Sequence, residues 1–176
     1  MVAAAWDLCR ERGLSGLALR DLARAVGMTA PALYAYFASK DEIFDAMFAD
    51  GQRAMLELDY TPGEGEPVTR AELRHGARMF FDFCTADPVR YQLMFQRVVP
   101  GFVPSEESYA LAVRNYERFS AAVARAGVRD PRHLDLWTAL VTGLTDQQIS
   151  NDPGGDRWGR LLDEAVDLLC DHAGLP

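Results

Sequence analysis

An all-α fold is what this sequence predicts, and three observations carry the prediction. Apolar residues recur at helical spacing along most of the chain, no sustained period-2 alternation occurs, and β-branched residues are sparse. The 176 residues suffice for a small domain fused to a medium one. We read a three-helix N-terminal module of the helix-turn-helix kind, followed by a larger C-terminal helical bundle, about nine helices in all.

The elements follow in order. Helices are expected at 2–12, 19–26, 30–37, 40–58, 69–84, 88–98, 106–126, 131–150 and 156–172. Ser39 and Glu42 have capping-box spacing at the start of the fourth. Asp87-Pro88 and Asp130-Pro131 each place a capping acid before a proline whose missing donor costs nothing there. Gly13, Gly27 and Gly127 follow helical runs, as a left-handed residue closing a helix should. Residues 59–68, rich in Pro and Gly, read as a connector, and 151–155 as a tight turn. The stretch Val99-Pro100-Gly101-Phe102-Val103-Pro104 is apolar for a loop, so it is expected to fold over a core or a cavity.

Composition excludes several classes. Hydrophobic residues make up 49%, yet no apolar run approaches the roughly 18–20 residues that span a membrane. The start lacks a basic region and is soon broken by Asp7, Arg10, Glu11 and Arg12, so no secretory signal is expected and the default compartment is the cytoplasm. Cys9, Cys84 and Cys170 are odd in number and far apart, which fits neither a disulfide framework nor a metal site. His75, His133 and His172 are equally scattered, and neither metal nor cofactor is expected. A phosphate-binding glycine loop, a nucleophile elbow and an HExxH motif are all absent, so the chain does not read as an enzyme.

The net charge of −8 is unevenly spread. Residues 1–40 hold five basic side chains against three acidic ones, a net of +2, while the remaining 13 basic and 23 acidic residues give −10. Acidity in the larger part favours solubility and repels nonspecific contact with DNA.

Residues 17–40 carry the chemistry. Leu19, Leu22, Ala23 and Val26 line one helical face; Gly27 turns the chain; Thr29 caps a second helix whose Leu33 and Phe37 point to the same core. Two short helices joined by a glycine turn form a helix-turn-helix, whose second helix can enter the major groove of DNA. Taken alone, Tyr34 and Tyr36 would be ordinary packing aromatics and Lys40 a solvated first-turn residue.

The joint pattern resembles the TetR family of bacterial repressors: Leu22-Ala23, then Val26-Gly27-Met28-Thr29, then Leu33-Tyr34-x-Tyr36-Phe37-x-Ser39-Lys40-Asp41. Ala4, Ala5, Leu8 and Gly13 continue it upstream, Ile43-Phe44 downstream, so it covers residues 1 to about 50. The resemblance implies that Thr29 caps the recognition helix and touches a phosphate, with Ala30, Pro31 and Ala32 facing the groove. It implies that Tyr34, Tyr36 and Lys40 reach phosphates, and with Arg20 these residues form the candidate DNA-contact set. Three departures stand out: Pro31 where the family often has Gly, Tyr36 where it usually has His, and Ala18 without a capping hydroxyl. The resemblance also implies that the family's first helix begins upstream of Met1, a basic arm preceding it. Small groove-facing residues point to thymine-methyl contacts and shape readout more than to base hydrogen bonds.

The resemblance divides the chain into a DNA-binding domain, 1–46, and a ligand-binding and dimerisation domain, 47–176. In the second, Phe80, Phe83, Tyr91, Met94, Phe95, Phe102, Tyr109, Tyr116, Trp137 and Gln147 are the candidate effector-pocket residues. His133, Gln148 and Asn115 are further polar anchors. Two helical stripes suit a two-fold mate: Trp137, Leu140, Val141 and Leu144, with Gly143 permitting close approach, and Trp158, Leu161, Leu162, Ala165, Val166 and Leu169. The expected partners are palindromic double-stranded DNA, a small apolar effector and a second copy of the chain, with no membrane. The alternative is a helical small-molecule binder or enzyme with a vestigial DNA-binding module.

Overall fold

Nine α-helices and two 3-10 turns form the regular structure of residues 1–58 and 67–175, the part of the chain that the computed structural model describes, with no strand among them. They are α1 (Val2–Arg12), α2 (Leu19–Ala25), α3 (Ala30–Tyr34), α4 (Lys40–Leu56), α5 (Arg70–Ala86), α6 (Pro88–Phe95), α7 (Glu106–Arg125), α8 (Pro131–Asn151) and α9 (Leu162–His172). The 3-10 turns are Leu14–Gly16 and Gly159–Leu161. The class is all-α, as the sequence predicts. Most of the connector expected at 59–68 lies outside the described residues; Val68 is buried. Among the described residues, no helix is long and apolar enough to cross a membrane.

Two compact units divide the chain: Met1–Glu57 with Asp87–Arg114, and Leu58–Ala86 with Asn115–Pro176. In the first, Trp6, Cys9, Leu22, Leu33, Ile43, Phe44 and Met47 are all less than 5% exposed and form one core. Removing a large apolar side chain from water contributes roughly 1.5–3 kcal/mol each, so this core is what holds the short helices in place. Polar links tie its helices together. Trp6 Nε1 donates to Asp50 at 2.8 Å, and Arg10 donates to Asp87 at 2.7 Å. Asp87 also caps α6 by accepting the Arg90 N–H at 3.1 Å. Asp45 on α4 accepts the Ser105 N–H at 2.7 Å and the Ser108 hydroxyl at 2.8 Å, docking the start of α7. The apolar loop behaves as its composition requires: Val99 and Phe102 pack on this core, Phe102 with its ring 5.7 Å from that of Phe44.

In the second unit, α5, α8 and α9 enclose Leu73, Ala77, Phe81, Trp137, Val141, Leu162, Val166 and Cys170. Thr69 and Glu72 form a reciprocal capping box at the start of α5, which depresses the Glu72 carboxyl below its usual range. Outside the core, Arg70, Arg74 and Arg78 of α5 meet Asp171, Asp167 and Asp163 of α9 at 2.7, 2.6 and 3.4 Å.

The last helix departs furthest from expectation. The last helix begins at Leu162, and the chain from Asp152 to Leu161 is turn and 3-10 structure. The cause is competition for its backbone groups. Buried Gln148 accepts the N–H groups of Trp158 and Gly159 on Oε1 at 2.9 and 3.1 Å, and Arg78 donates to the Gly159 carbonyl at 2.8 Å.

Candidate nucleic-acid interface

The turn between α2 and α3 sets how the N-terminal module presents itself. Gly27 adopts φ +69, its N–H donates to the Arg24 carbonyl, and the Met28 N–H donates to the Ala23 carbonyl at 2.8 Å. These two bonds are a Schellman closure, which satisfies the last carbonyls of α2 and redirects the chain. Thr29 Oγ1 then accepts the Ala32 N–H at 3.3 Å, capping α3 as expected, with Pro31 in its first turn.

Only Leu33 of α3 is buried, at 1% exposure, so one side chain anchors the helix and the rest of its surface is available. Ala30 and Ala32 are half-buried; Thr29 and Pro31 are exposed. Tyr34 is 52% and Tyr36 62% exposed, which decides against a packing role for either ring. The helix ends at Tyr34, three residues before the expected boundary. Ser39 must be extended to cap α4, and Glu42 draws the Ala38 N–H to its carboxylate at 2.7 Å, so the chain leaves the helix early. Tyr36 therefore sits in the turn that follows α3.

Lys40 is more engaged than the sequence suggests. Its ammonium donates to the Ser15 carbonyl at 3.1 Å and lies 5.2 Å from the centre of the Phe44 ring. It thus ties the Leu14–Gly16 turn to α4 while keeping further donors. The Arg20 side chain is 82% exposed, and Arg24, one turn further along α2, is 79% exposed; both border the shared acid Asp21. Sequence reasoning left out Arg24, though its i, i+4 spacing from Arg20 was visible.

Residues 1–47 match the family model of bacterial regulatory proteins, tetR family. An HTH-type transcriptional regulator of Mycobacterium tuberculosis is 30% identical over 163 residues, 84% of this chain, which spans 66% of that protein's length. The chain belongs to the TetR family. The HTH-type transcriptional regulator SrpR of Pseudomonas putida is 29% identical, over 98% of this chain and 89% of its own. Among solved structures, a TetR-family transcriptional regulator from Streptomyces coelicolor matches with a TM-score of 0.73 at 19% identity, over 98% of this chain and 79% of that one. BioQ with its double-stranded DNA operator matches at 0.63 and 22%, over 98% and 94%. A TetR variant of Acinetobacter baumannii in complex with minocycline matches at 0.63 and 25%, over 97% and 92%. The TetR-family fold is thereby shared across both units.

The residues expected to form an effector pocket divide between the units, five in each. Tyr91, Met94, Phe102 and Trp137 are packing residues. Tyr91 and Met94 are 3% and 7% exposed, Phe102 packs tilted against Phe44, and Trp137 is 4% exposed beside Phe119. Phe80 and Phe83 are half-buried. Phe95, Tyr109 and Tyr116 are 40%, 58% and 52% exposed, and Gln147 accepts from Asn151 on the surface. Two clefts of the second unit, about 550 and 430 Å³, are lined by none of the ten. Of the polar anchors, Gln148 is consumed by the backbone it holds, and the His133 ring meets that of His172 edge-on at 5.0 Å.

The expected dimer stripes also need correction. Leu162 and Val166 are 0% exposed and Ala165 is 7%, because the amphipathic face of α9 is spent on α5 and α8 of its own unit. Trp158, Leu140, Leu144 and Leu169 are half-buried, and Leu161 is 36% exposed. The outward leucines are Leu136 on α8, 48% exposed, and Leu168 on α9, 60% exposed. Sequence periodicity alone does not tell which apolar stripe of a helix faces inward.

Proposed function

We propose that this chain is a DNA-binding transcriptional regulator, a repressor that holds a palindromic operator as a homodimer and releases it when a small apolar effector binds its C-terminal domain. The observation that carries the reading is the surface of α3 and its following turn: small residues Ala30, Pro31 and Ala32 beside two exposed tyrosine hydroxyls, all held on one core by Leu33. Small side chains let a helix approach base edges, and phenolic hydroxyls suit phosphate oxygens. Thr29, Lys40 and Arg20 extend the contact set, and exposed Arg24 joins it.

For the two-fold contact, Leu136 and Leu140 of α8, Leu161 of the 3-10 turn before α9 and Leu168 of α9 replace the buried members of the earlier stripes. A Cβ placed on Gly143 meets no atom within 4 Å, leaving room for a partner helix. The effector part of the reading is supported by family membership and the aromatic-rich second domain. Release requires the effector to prefer the unbound conformation, since only differential affinity shifts an equilibrium.

The test is selection of bound duplexes from a random pool, followed by gel shifts on the winner and sedimentation of the free protein. A palindromic consensus, with affinity lost in Tyr34→Phe and Tyr36→Phe, is the expected result. No enriched sequence would remove the DNA-binding reading and favour a helical small-molecule binder with a vestigial module.

A further inference from the structure

The larger cleft of the second unit lies among the C-terminal half of α5, the end of α8 and residues 154–160, and its volume of about 550 Å³ suits a small molecule. Its wall is already ordered. Gln148, 3% exposed, holds the Trp158 and Gly159 N–H groups on one side-chain oxygen and donates its amide to Asp152. Asp152 in turn accepts the Arg157 N–H at 2.9 Å, and this bond, then the Gln148 contact, keeps its carboxyl below the usual range. Gly159 sits so near Phe81 that a Cβ would stand 3.0 Å from the ring, and a Cβ on Gly155 would collide with the Asp152 carboxylate. At Gly159 the segment therefore approaches α5 as closely as glycine allows.

The charges on this wall behave unlike those nearby. On the neighbouring faces of α5 and α9, arginine and aspartate close on one another in three successive pairs. In the cleft, Arg160, Asp82 and Asp156 line one cavity, and among the described residues none of their side chains makes an ion pair or hydrogen bond. Arg160 acts on Asp152 only through its field. Arg78 completes the set: its Nη2 is held by the Gly159 carbonyl and Asp163, and its guanidinium lies 5.8 Å from the centre of the Phe81 ring. A cleft of one sign selects an ion of the other. Here Arg160, Asp82 and Asp156 face a common space without pairing, beside an Arg78 already held by Asp163.

We propose that this cleft binds a zwitterionic small molecule of amino-acid or dipeptide size, its carboxylate toward Arg160, with Arg78 beside it, and its ammonium toward Asp82 and Asp156. A ligand with both charges makes charge-assisted bonds at each end, which a singly charged analogue cannot. The site goes beyond the apolar effector considered above, since none of the ten residues expected for that effector lines it.

The test is titration calorimetry on the full chain without DNA, using L-phenylalanine and glycyl-L-phenylalanine, each also as its N-acetyl and its amide derivative. At least one parent zwitterion binds, and blocking either end weakens it by about tenfold or more. Arg160→Ala and Asp156→Asn weaken binding to a similar degree and leave the Tm nearly unchanged, because among the described residues neither side chain has a hydrogen-bond or ion-pair partner to lose. Absence of binding by both parents, equal binding of blocked and parent forms, or unaffected variants would overturn the proposal. Because no DNA is present, its failure leaves the operator reading untouched, and failure to select DNA leaves this result standing.

Discussion

Arg74 and Asp167 meet fork to fork, with Arg74 Nε 2.8 Å from one carboxylate oxygen and Nη2 2.6 Å from the other. The pair is the middle rung of the ladder between α5 and α9, flanked by Arg70–Asp171 and Arg78–Asp163. Bidentate geometry makes such a pair the strongest kind of surface ion pair, but both side chains are about a third exposed, 38% and 33%, so water screens it. The apolar seam beneath, with Leu73, Ala77, Leu162 and Val166, supplies most of the adhesion.

A double-mutant cycle with Arg74→Ala and Asp167→Ala, followed by urea unfolding, is expected to show coupling of about 0.5–1 kcal/mol. The coupling shrinks as salt is raised, since part of the pair is open to solvent. A cycle that closes to zero at low salt would mean the rung adds no stability.

Gly27→Ala tests the turn of the helix-turn-helix. A Cβ there would touch nothing within 4 Å, so the cost is backbone strain alone at φ +69. Destabilisation of about 1–2 kcal/mol is expected from denaturant melts, together with weaker DNA binding. An unchanged melt would show that the turn relaxes freely.

Lys40 separates two roles. Its bond to the Ser15 carbonyl predicts that Lys40→Ala lowers stability by up to about 1 kcal/mol. A phosphate contact predicts in addition that the salt dependence of DNA binding flattens by about one charge. Loss of stability with an unaltered salt slope would leave Lys40 as a clasp between the Leu14–Gly16 turn and α4.

Asp130 carries one part of the pH dependence. The Arg132 guanidinium, then the Arg132 N–H, holds its carboxyl down from 3.8 to about 2. The folded state therefore binds this proton less readily than the unfolded chain, so the contribution is complete above about pH 4 and fades as pH falls toward 2. Thermal melts of Asp130→Ala against the parent should differ near neutral pH and converge in strong acid. A gap that persists at the acid end would assign the effect to the helix cap rather than to ionisation.

Much of this protein was legible in its sequence because the relevant physics is local. Capping acids before Pro88 and Pro131, the glycine after α2 and the 3.6-residue periodicity act within a few residues, so helix positions emerged close to their observed bounds. The joint pattern of Gly27, Thr29, Leu33, Tyr34 and Lys40 was local too, and it carried the family. What tertiary structure alone decided depends on contacts between distant segments. Competition from Gln148 and Arg78 delays the last helix to Leu162, and packing of α9 on α5 buries Leu162 and Val166 that would otherwise suit a partner. Lys40 reaches a carbonyl 25 residues away, and Arg78, Asp82, Asp156 and Arg160 come to line one cleft from two separate stretches of chain. Periodicity states that a helix has an apolar face; only the packed neighbours determine which groups that face, and the charges beside it, will meet.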